Sequence, residues 1–190
     1  MHANKFLTTG QAARYCHVSQ TTIINWIRKG KLKAYATPGG HHRILLPDFL
    51  SFMDAYRIPV DAALRESARP QVLIVSDGPQ AEALAQALRA HERFEIACAH
   101  NDHEAGAEAT RLKPDAIVLD TRSKALNWAT LCEWLRASPD GEVLVVLAVG
   151  DPEDEPSAQS AGADAYLTGD AITEKLESQL RALLDQNGRG

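Results

Sequence analysis

Ser19-Gln20-Thr21-Thr22-Ile23-Ile24-Asn25-Trp26-Ile27, with Gly39-Gly40-His41-His42-Arg43 shortly downstream, decides how the N-terminal part of this chain is read. Ser19 has the chemistry of a helix N-cap, and Ile23, Trp26 and Ile27 then recur at helical spacing until Gly30 ends the segment. Just upstream, Thr8 and Gln11 stand three apart as in a capping box, and Ala12, Ala13, Tyr15 and Cys16 continue a helix ending near His17. Val18 reads as a buried turn residue. The expectation is helix, tight turn, helix.

With Ile23, Trp26 and Ile27 turned inward, the opposite face of the second helix carries Gln20, Thr21, Ile24, Asn25 and Arg28. Gln and Asn side chains pair with adenine, and an aliphatic tip meets the thymine methyl. Ile24 reads equally well as a scattered exposed apolar residue. Asn25 is the chief candidate for specificity. Lys33-Ala34-Tyr35-Ala36 and Arg43-Ile44-Leu45-Leu46 are short extended runs around Thr37-Pro38-Gly39-Gly40-His41-His42, the pattern of a hairpin wing. Gly39 and Gly40 let backbone N–H groups approach phosphate. His41, His42 and Arg43, with Lys29, Lys31 and Tyr35 nearby, are expected on the sugar-phosphate backbone or in the minor groove. The His41-His42 pair also raises a metal reading, but neighbouring side chains diverge on a strand and no third ligand is evident. Pro47 to Met53 starts as a helix with Pro at its first position and Phe49, Leu50 and Met53 at core spacing.

Charge separates the chain into halves. Residues 1 to 69 hold ten Lys and Arg against four Asp and Glu, and the remainder ten against 21. The overall −5 therefore hides a basic head, a surface suited to phosphates. With 190 residues and 45% hydrophobic content, two compact domains are expected. Three dispersed cysteines, Cys16, Cys98 and Cys132, indicate neither a disulfide framework nor a zinc knuckle and fit a reducing cytoplasm. No apolar h-region opens the sequence and no run is long enough to span a bilayer, so no membrane association is expected.

Residues 6 to 53 resemble the winged helix-turn-helix of the MerR superfamily, in its excisionase-like and BldC-like branch. The likeness rests on Leu7-Thr8-Thr9-Gly10-Gln11-Ala12-Ala13, Val18-Ser19, Trp26-Ile27, Gly30-Lys31-Leu32 and Thr37 to Arg43. It implies that the second helix enters the major groove and the wing contacts the neighbouring backbone. Cys16-His17 stands where that group usually has Leu-Gly, and Asn25 where a basic residue is common. Residues 1–55 are thus expected to form a winged helix-turn-helix domain, and 56–70 a linker, either a short helix or an ordered connector. The long coiled coil of true MerR proteins has no counterpart in the heptad pattern.

Beyond Pro70 the pattern alternates. Gln71–Val75, Glu95–Ala99, Asp115–Leu119, Val143–Ala148 and Asp164–Leu167 read as buried strands. Ala81, Leu84, Ala85 and Leu88, and later Ile172, Leu176, Leu180 and Leu183, read as helix faces. Residues 71–190 are expected to be an α/β, flavodoxin-like domain with a five-stranded parallel sheet. In that order functional groups collect at the carboxyl ends of the first and third strands, where Asp77 and Asp120 fall. Two carboxylates in one cleft suggest Mg²⁺, and Asp120 a nucleophile toward phosphoryl groups. They also read as loop-end caps.

Val72 to Asp77, Asp115 to Asp120 and Ser160 to Thr168 resemble the receiver domains of bacterial response regulators. That likeness implies that Asp120 is the phosphoacceptor and Asp77 one of two magnesium-binding acids. Ser76 stands in place of the other acid, Ala148 in place of the switch hydroxyl and Gly169 in place of the usual lysine. Arg122 and Lys124 are the candidates to fill in. The resulting expectation is a degenerate receiver, a pseudo-receiver that dimerises through its last helix, Ile172 to Leu184, or meets a partner protein or histidine kinase. The whole is then a cytoplasmic, non-enzymatic transcriptional regulator binding double-stranded DNA. Phosphorylation control through Asp120 and an excisionase-like, DNA-bending role stand as alternatives. A corrin sensor is disfavoured because His100 and His103 follow the second strand rather than the first. A phosphatase acting through Asp77 and Asp120 lacks a general acid.

Overall fold

Thr8 accepts a hydrogen bond from the N–H of Gln11, and the Gln11 side chain accepts one from the N–H of Thr8, so the capping box forms and opens the first helix. In the computed structural model, which describes residues 6–66, 68–138, 141 and 144–187, the chain divides into two compact units, Met1–Arg69 and Pro70–Gly190.

The first unit contains β1 (Phe6–Thr8), α1 (Thr9–Tyr15), α2 (Gln20–Arg28), β2 (Tyr35–Ala36), β3 (His42–Leu45), α3 (Leu46–Ala55) and α4 (Ala62–Glu66). The strands form an antiparallel sheet in the order β1-β3-β2. The hairpin strands are shorter or shifted against the expected runs, Tyr35–Ala36 for Lys33–Ala36 and His42–Leu45 for Arg43–Leu46, and β1 is an addition the sequence pattern did not announce. It pairs Phe6 with Leu45, Leu7 with Ile44 and Thr8 with Arg43. Leu7, Ala12, Ile23, Leu32, Ile44, Leu46, Phe49 and Met53 form the core. Residues 56–69, expected as a linker, are part of this unit. Leu64 is buried in the same core, Ile58, Val60 and Ala68 pack against it, and Arg65 of α4 pairs with Asp54 of α3. Within that stretch the helix is Ala62–Glu66.

The second unit contains β4 (Gln71–Val75), α5 (Gly78–Arg89), β5 (Glu95–Ala99), α6 (Asp102–Leu112), β6 (Ala116–Asp120), α7 (Trp128–Ala137), β7 (Val145–Gly150), α8 (Glu155–Ser160), β8 (Ala165–Thr168) and α9 (Ala171–Asn187). The five strands are parallel, in the order β5-β4-β6-β7-β8. Alternate residues of each strand feed two cores, as a sheet covered on both faces requires. Val72, Ile74, Val118 and Leu147 meet Leu84, Leu88, Leu176 and Leu180 on one side. Leu73, Val75, Ile117 and Val146 meet Ala105, Leu131 and Leu135 on the other. The last three strands start or end one or two residues later than expected. Asp115, just ahead of β6, ties the neighbouring strands together: its N–H donates to the Gln71 carbonyl at 2.9 Å, its carbonyl accepts from Val145 at 3.1 Å, and its carboxylate accepts the N–H of Gln71 at 2.8 Å. Val143, placed in a strand from the sequence, lies outside the described residues. At the other end, pairing of Asp120 with Val149 carries β6 and β7 on to the edge of the site.

Candidate nucleic-acid interface and buried acidic site

The tight turn between α1 and α2 is made by His17, whose φ of 53° is left-handed, followed by Val18, whose N–H reaches the Ala13 carbonyl at 3.0 Å. Ser19 then caps α2, its Oγ accepting from the N–H of Thr22 at 3.2 Å. Ile23 is fully buried, and Trp26 and Ile27 are half-buried against the core. The ring of Trp26 lies 5.0 Å from that of Phe52 on α3. This anchoring turns Thr21, Asn25 and Arg28 outward, all exposed and spaced to form one stripe, with half-buried Ile24 beside them. Gln20 is exposed but engaged: its Nε2 donates to Oγ1 of Thr9 at 2.7 Å, tying the first turn of α2 to the first turn of α1.

The hairpin closes through a three-residue loop. The N–H of Thr37 donates to the His41 carbonyl at 2.9 Å, and the N–H of Gly40 to the Thr37 carbonyl at 2.8 Å. Gly40 has φ of +77°, whereas Gly39 stays at negative φ. The geometry is a type I turn followed by a left-handed residue, and it needs glycine at position 40 rather than 39. Arg43 pairs with Tyr35 and His42 with Ala36, so Arg43 and His42 take opposite faces of the sheet. Tyr35 is 42% exposed, its ring edge-on to that of Phe6 at 6.2 Å and 5.6 Å from the Lys33 ammonium. Gly30 (φ +67°) ends α2, Lys29 is exposed at its C-cap, and the Lys31 ammonium lies 5.6 Å from the Tyr56 ring. His41 is exposed and His42 half-buried. Among the described residues no group of three or more His, Cys, Asp or Glu is placed to hold a metal ion, so the metal reading of this pair gains no third ligand.

In the second unit, Asp120 is 1% exposed at the end of β6, and Ser76, fully buried, stands just beyond β4. A carboxylate so far from water needs a partner. Arg122 provides it: Nε donates to Oδ1 at 2.8 Å and Nη2 to Oδ2 at 3.0 Å, a bidentate fork. The backbone N–H of Arg122 reaches Oδ1 at 3.1 Å and the Ser76 hydroxyl Oδ2 at 3.0 Å, so every direction around Asp120 is taken by a donor. The carboxylate in turn holds the Arg122 guanidinium above its usual range. Asp77 works differently. Its Oδ2 accepts from the N–H groups of Lys124 and Ala125 at 3.2 and 3.4 Å, pinning the loop that follows β6.

In this arrangement the two carboxylates expected as a magnesium pair, Asp77 and Asp120, are engaged by other groups. Mg²⁺ wants near-octahedral oxygen ligands, several of them waters. Here one carboxylate is paired with a guanidinium and Oδ2 of the other accepts from a loop, so a divalent cation would have to displace these contacts. Of the two candidate substitutes, Arg122 is the one placed on Asp120. Its separation by only two residues was the visible signal, but the turn that folds it back was not.

Thr121, between these two, points elsewhere. Its hydroxyl donates to Oδ2 of Asp154 at 2.8 Å and lies 2.9 Å from the hydroxyl of Tyr166 on β8. Tyr166 donates to the Asp151 carbonyl at 2.8 Å. Burial pushes the Tyr166 phenol up from its ordinary value, opposed by the Thr121 hydrogen bond. Ala148 is fully buried in β7 and carries no hydroxyl to this cluster, while Gly169 (φ +54°) begins the turn into α9. His100 sits with Nδ1 3.2 Å from the Ser76 carbonyl, and among the described residues neither it nor His103 belongs to a group of three or more His, Cys, Asp or Glu placed to hold a metal ion.

Residues 6–57 match the model of a helix-turn-helix domain and residues 72–181 that of the response regulator receiver domain. The transcriptional regulatory protein PrrA of Mycobacterium tuberculosis is 36% identical over 121 residues, which cover 63% of this chain and 52% of PrrA. The DNA-binding dual master transcriptional regulator RpaA of Synechocystis sp. is 30% identical over 123 residues, 63% of this chain and 51% of RpaA. Among solved structures, the signal receiver domain of a signal transduction histidine kinase from Syntrophus aciditrophicus superposes with a TM-score of 0.54 at 29% identity, covering 62% of this chain and 91% of that one. The chain spans about half the length of the curated relatives it matches.

Proposed function

The chain belongs to the response regulator receiver family, whose domain covers more than half of it, and from that premise we propose that it is a DNA-binding transcriptional regulator with an atypical receiver. The observation that carries the DNA half is the exposed stripe Thr21, Asn25 and Arg28 on a helix-turn-helix whose inner side is fixed by Ile23 and Trp26. On this reading the first unit is a winged helix-turn-helix of the MerR-like, excisionase-like kind. Helix α2 lies in the major groove, Asn25 meets adenine and Ile24 a thymine methyl. Lys29, Lys31, Tyr35, Gly40, His41 and Arg43 hold the sugar-phosphate backbone. Gln20 uses one amide N–H to tie α2 to Thr9 of α1, which leaves its second N–H and its carbonyl oxygen for a base or phosphate.

The receiver unit is proposed to work without phosphoryl transfer. Asp120 already has a cation, supplied by Arg122, and a hydroxyl, supplied by Ser76, so the electrostatic role of a bound metal is filled from within. Its task is then contact: with a second copy through α9, placing two DNA-reading units on adjacent half-sites, or with a partner protein. The proposed setting is cytoplasmic, where a regulator of this kind meets DNA; among the described residues no helix is long and apolar enough to cross a membrane.

Selection of the full chain against a random duplex library tests this reading. A defined motif, with preference at one position relaxed in Asn25→Ala, is the expected result. An unstructured pool from the unaltered chain overturns it.

A further inference from the structure

We infer that Thr121 is a positioning residue that clamps Tyr166 and the turn ahead of α8 in one arrangement, with Arg122 holding the same stretch of chain closed on Asp120. The inference rests on the receiver reading above and deepens it by naming what sets the β8–α8 face of that unit.

Three successive residues at the end of β6 reach three places. Asp120 takes the Ser76 hydroxyl beside β4, Thr121 reaches Tyr166 on β8 and Asp154 before α8, and Arg122 folds back onto Asp120. Because they are adjacent in the chain, a shift of the backbone at any one moves the others. The Thr121 and Tyr166 hydroxyls have two protons between them for three contacts, to Asp154, to the Asp151 carbonyl and to each other. One of the two protons must therefore serve two contacts, and each hydroxyl's direction depends on the other's.

The space for this meeting is made by Gly150. A Cβ there would stand 2.0 Å from Oγ1 of Thr121 and 2.6 Å from the Tyr166 hydroxyl, so any other residue drives the two apart. Strand β7 offers no hydroxyl at Ala148 but leaves a gap at its last residue, and Thr121 crosses that gap. The link from the acidic pocket to the β8–α8 face runs through the residue after Asp120.

Amide hydrogen exchange on the full chain tests this. Thr121→Val keeps the shape of the side chain and removes its hydroxyl. Exchange over residues 151–160 and 165–168 is expected to rise about tenfold, while residues 71–75 stay within about twofold of the unaltered protein. Gly150→Ala reaches the same end from the strand side and is expected to give the same pattern. Arg122→Gln breaks the fork on Asp120 and is expected to raise exchange in the same segments about threefold or more. The clamp is overturned if neither Thr121→Val nor Gly150→Ala changes those segments, or if residues 71–75 rise by the same factor. The link to Asp120 is overturned if Arg122→Gln leaves them unmoved. These measurements need neither DNA nor a phosphodonor, so their failure is separate from failure of the regulator reading.

Discussion

Removing the Arg122 side chain is the perturbation whose cost the structure lets one work out. Asp120 has four donors around it, and Arg122→Ala deletes the two charged ones while leaving the backbone N–H of residue 122 and the Ser76 hydroxyl. Breaking a fully buried ion pair by deleting one partner costs about 3–5 kcal/mol. Asp120 is 1% exposed but the Arg122 side chain is 36% exposed, so water can enter the space the guanidinium leaves. The expected loss is therefore about 2–3 kcal/mol, below the buried limit and well above a surface pair. Adding Asp120→Asn removes the stranded charge, and the double variant should recover about half of that loss. The assay is urea denaturation of the full chain read through exchange-labelled peptides from β4 and β6, which scores the second unit by itself. A loss under about 0.5 kcal/mol for Arg122→Ala would refute the view that this pair holds the pocket.

Arg43→Ala is expected to weaken DNA binding evenly across sequences and to lower the slope of log K against log salt by about one, read by binding titrations at several salt concentrations. His17 occupies a left-handed φ of 53°, so His17→Gly should stabilise the first unit by about 0.5–1 kcal/mol in thermal unfolding, since relief of strain exceeds the added freedom of the unfolded chain. In alkaline titration followed by tyrosinate absorbance, the step lost in Tyr166→Phe should lie above the ordinary value of 10.0, because burial disfavours the phenolate. The sign for stability follows: a phenol raised in the folded state supports folding below its unfolded pKa, and that support is lost as pH climbs through the folded value.

The elements that could be read in the sequence are those whose signals are local. Thr8 and Gln11 announce a capping box that needs only three residues to form. Ala81, Leu84, Ala85 and Leu88 mark a helix face because burial of one side imposes the helical period, and all four are buried. The parallel strands are legible as short apolar runs because both faces of the sheet are covered. Strand β1 escaped because three residues leading into a helix carry no period of their own; its pairing with β3 is a tertiary event. Leu64 is not legible as a core residue because nothing local distinguishes a leucine packed on a core from one on a connector.

The site divides the same way. Asp120 at the end of its strand follows from the fold pattern, and so does the outward stripe of α2. The Gln20 bond to Thr9 does not, because the turn at His17 decides whether the two helices' first residues meet. Nor does the Thr121 contact with Tyr166, 45 residues away, which requires the strand order and a glycine at position 150. The fold of Arg122 onto Asp120 depends on how the chain turns after β6, which composition does not dictate.

Intact mass of the full chain after incubation with a small phosphodonor and Mg²⁺, with Asp120→Asn alongside, bears most directly on the claim that Asp120 is neutralised from within. The account predicts no mass gain that depends on Asp120. Addition of one phosphoryl group to the unaltered chain, absent from Asp120→Asn, would contradict it.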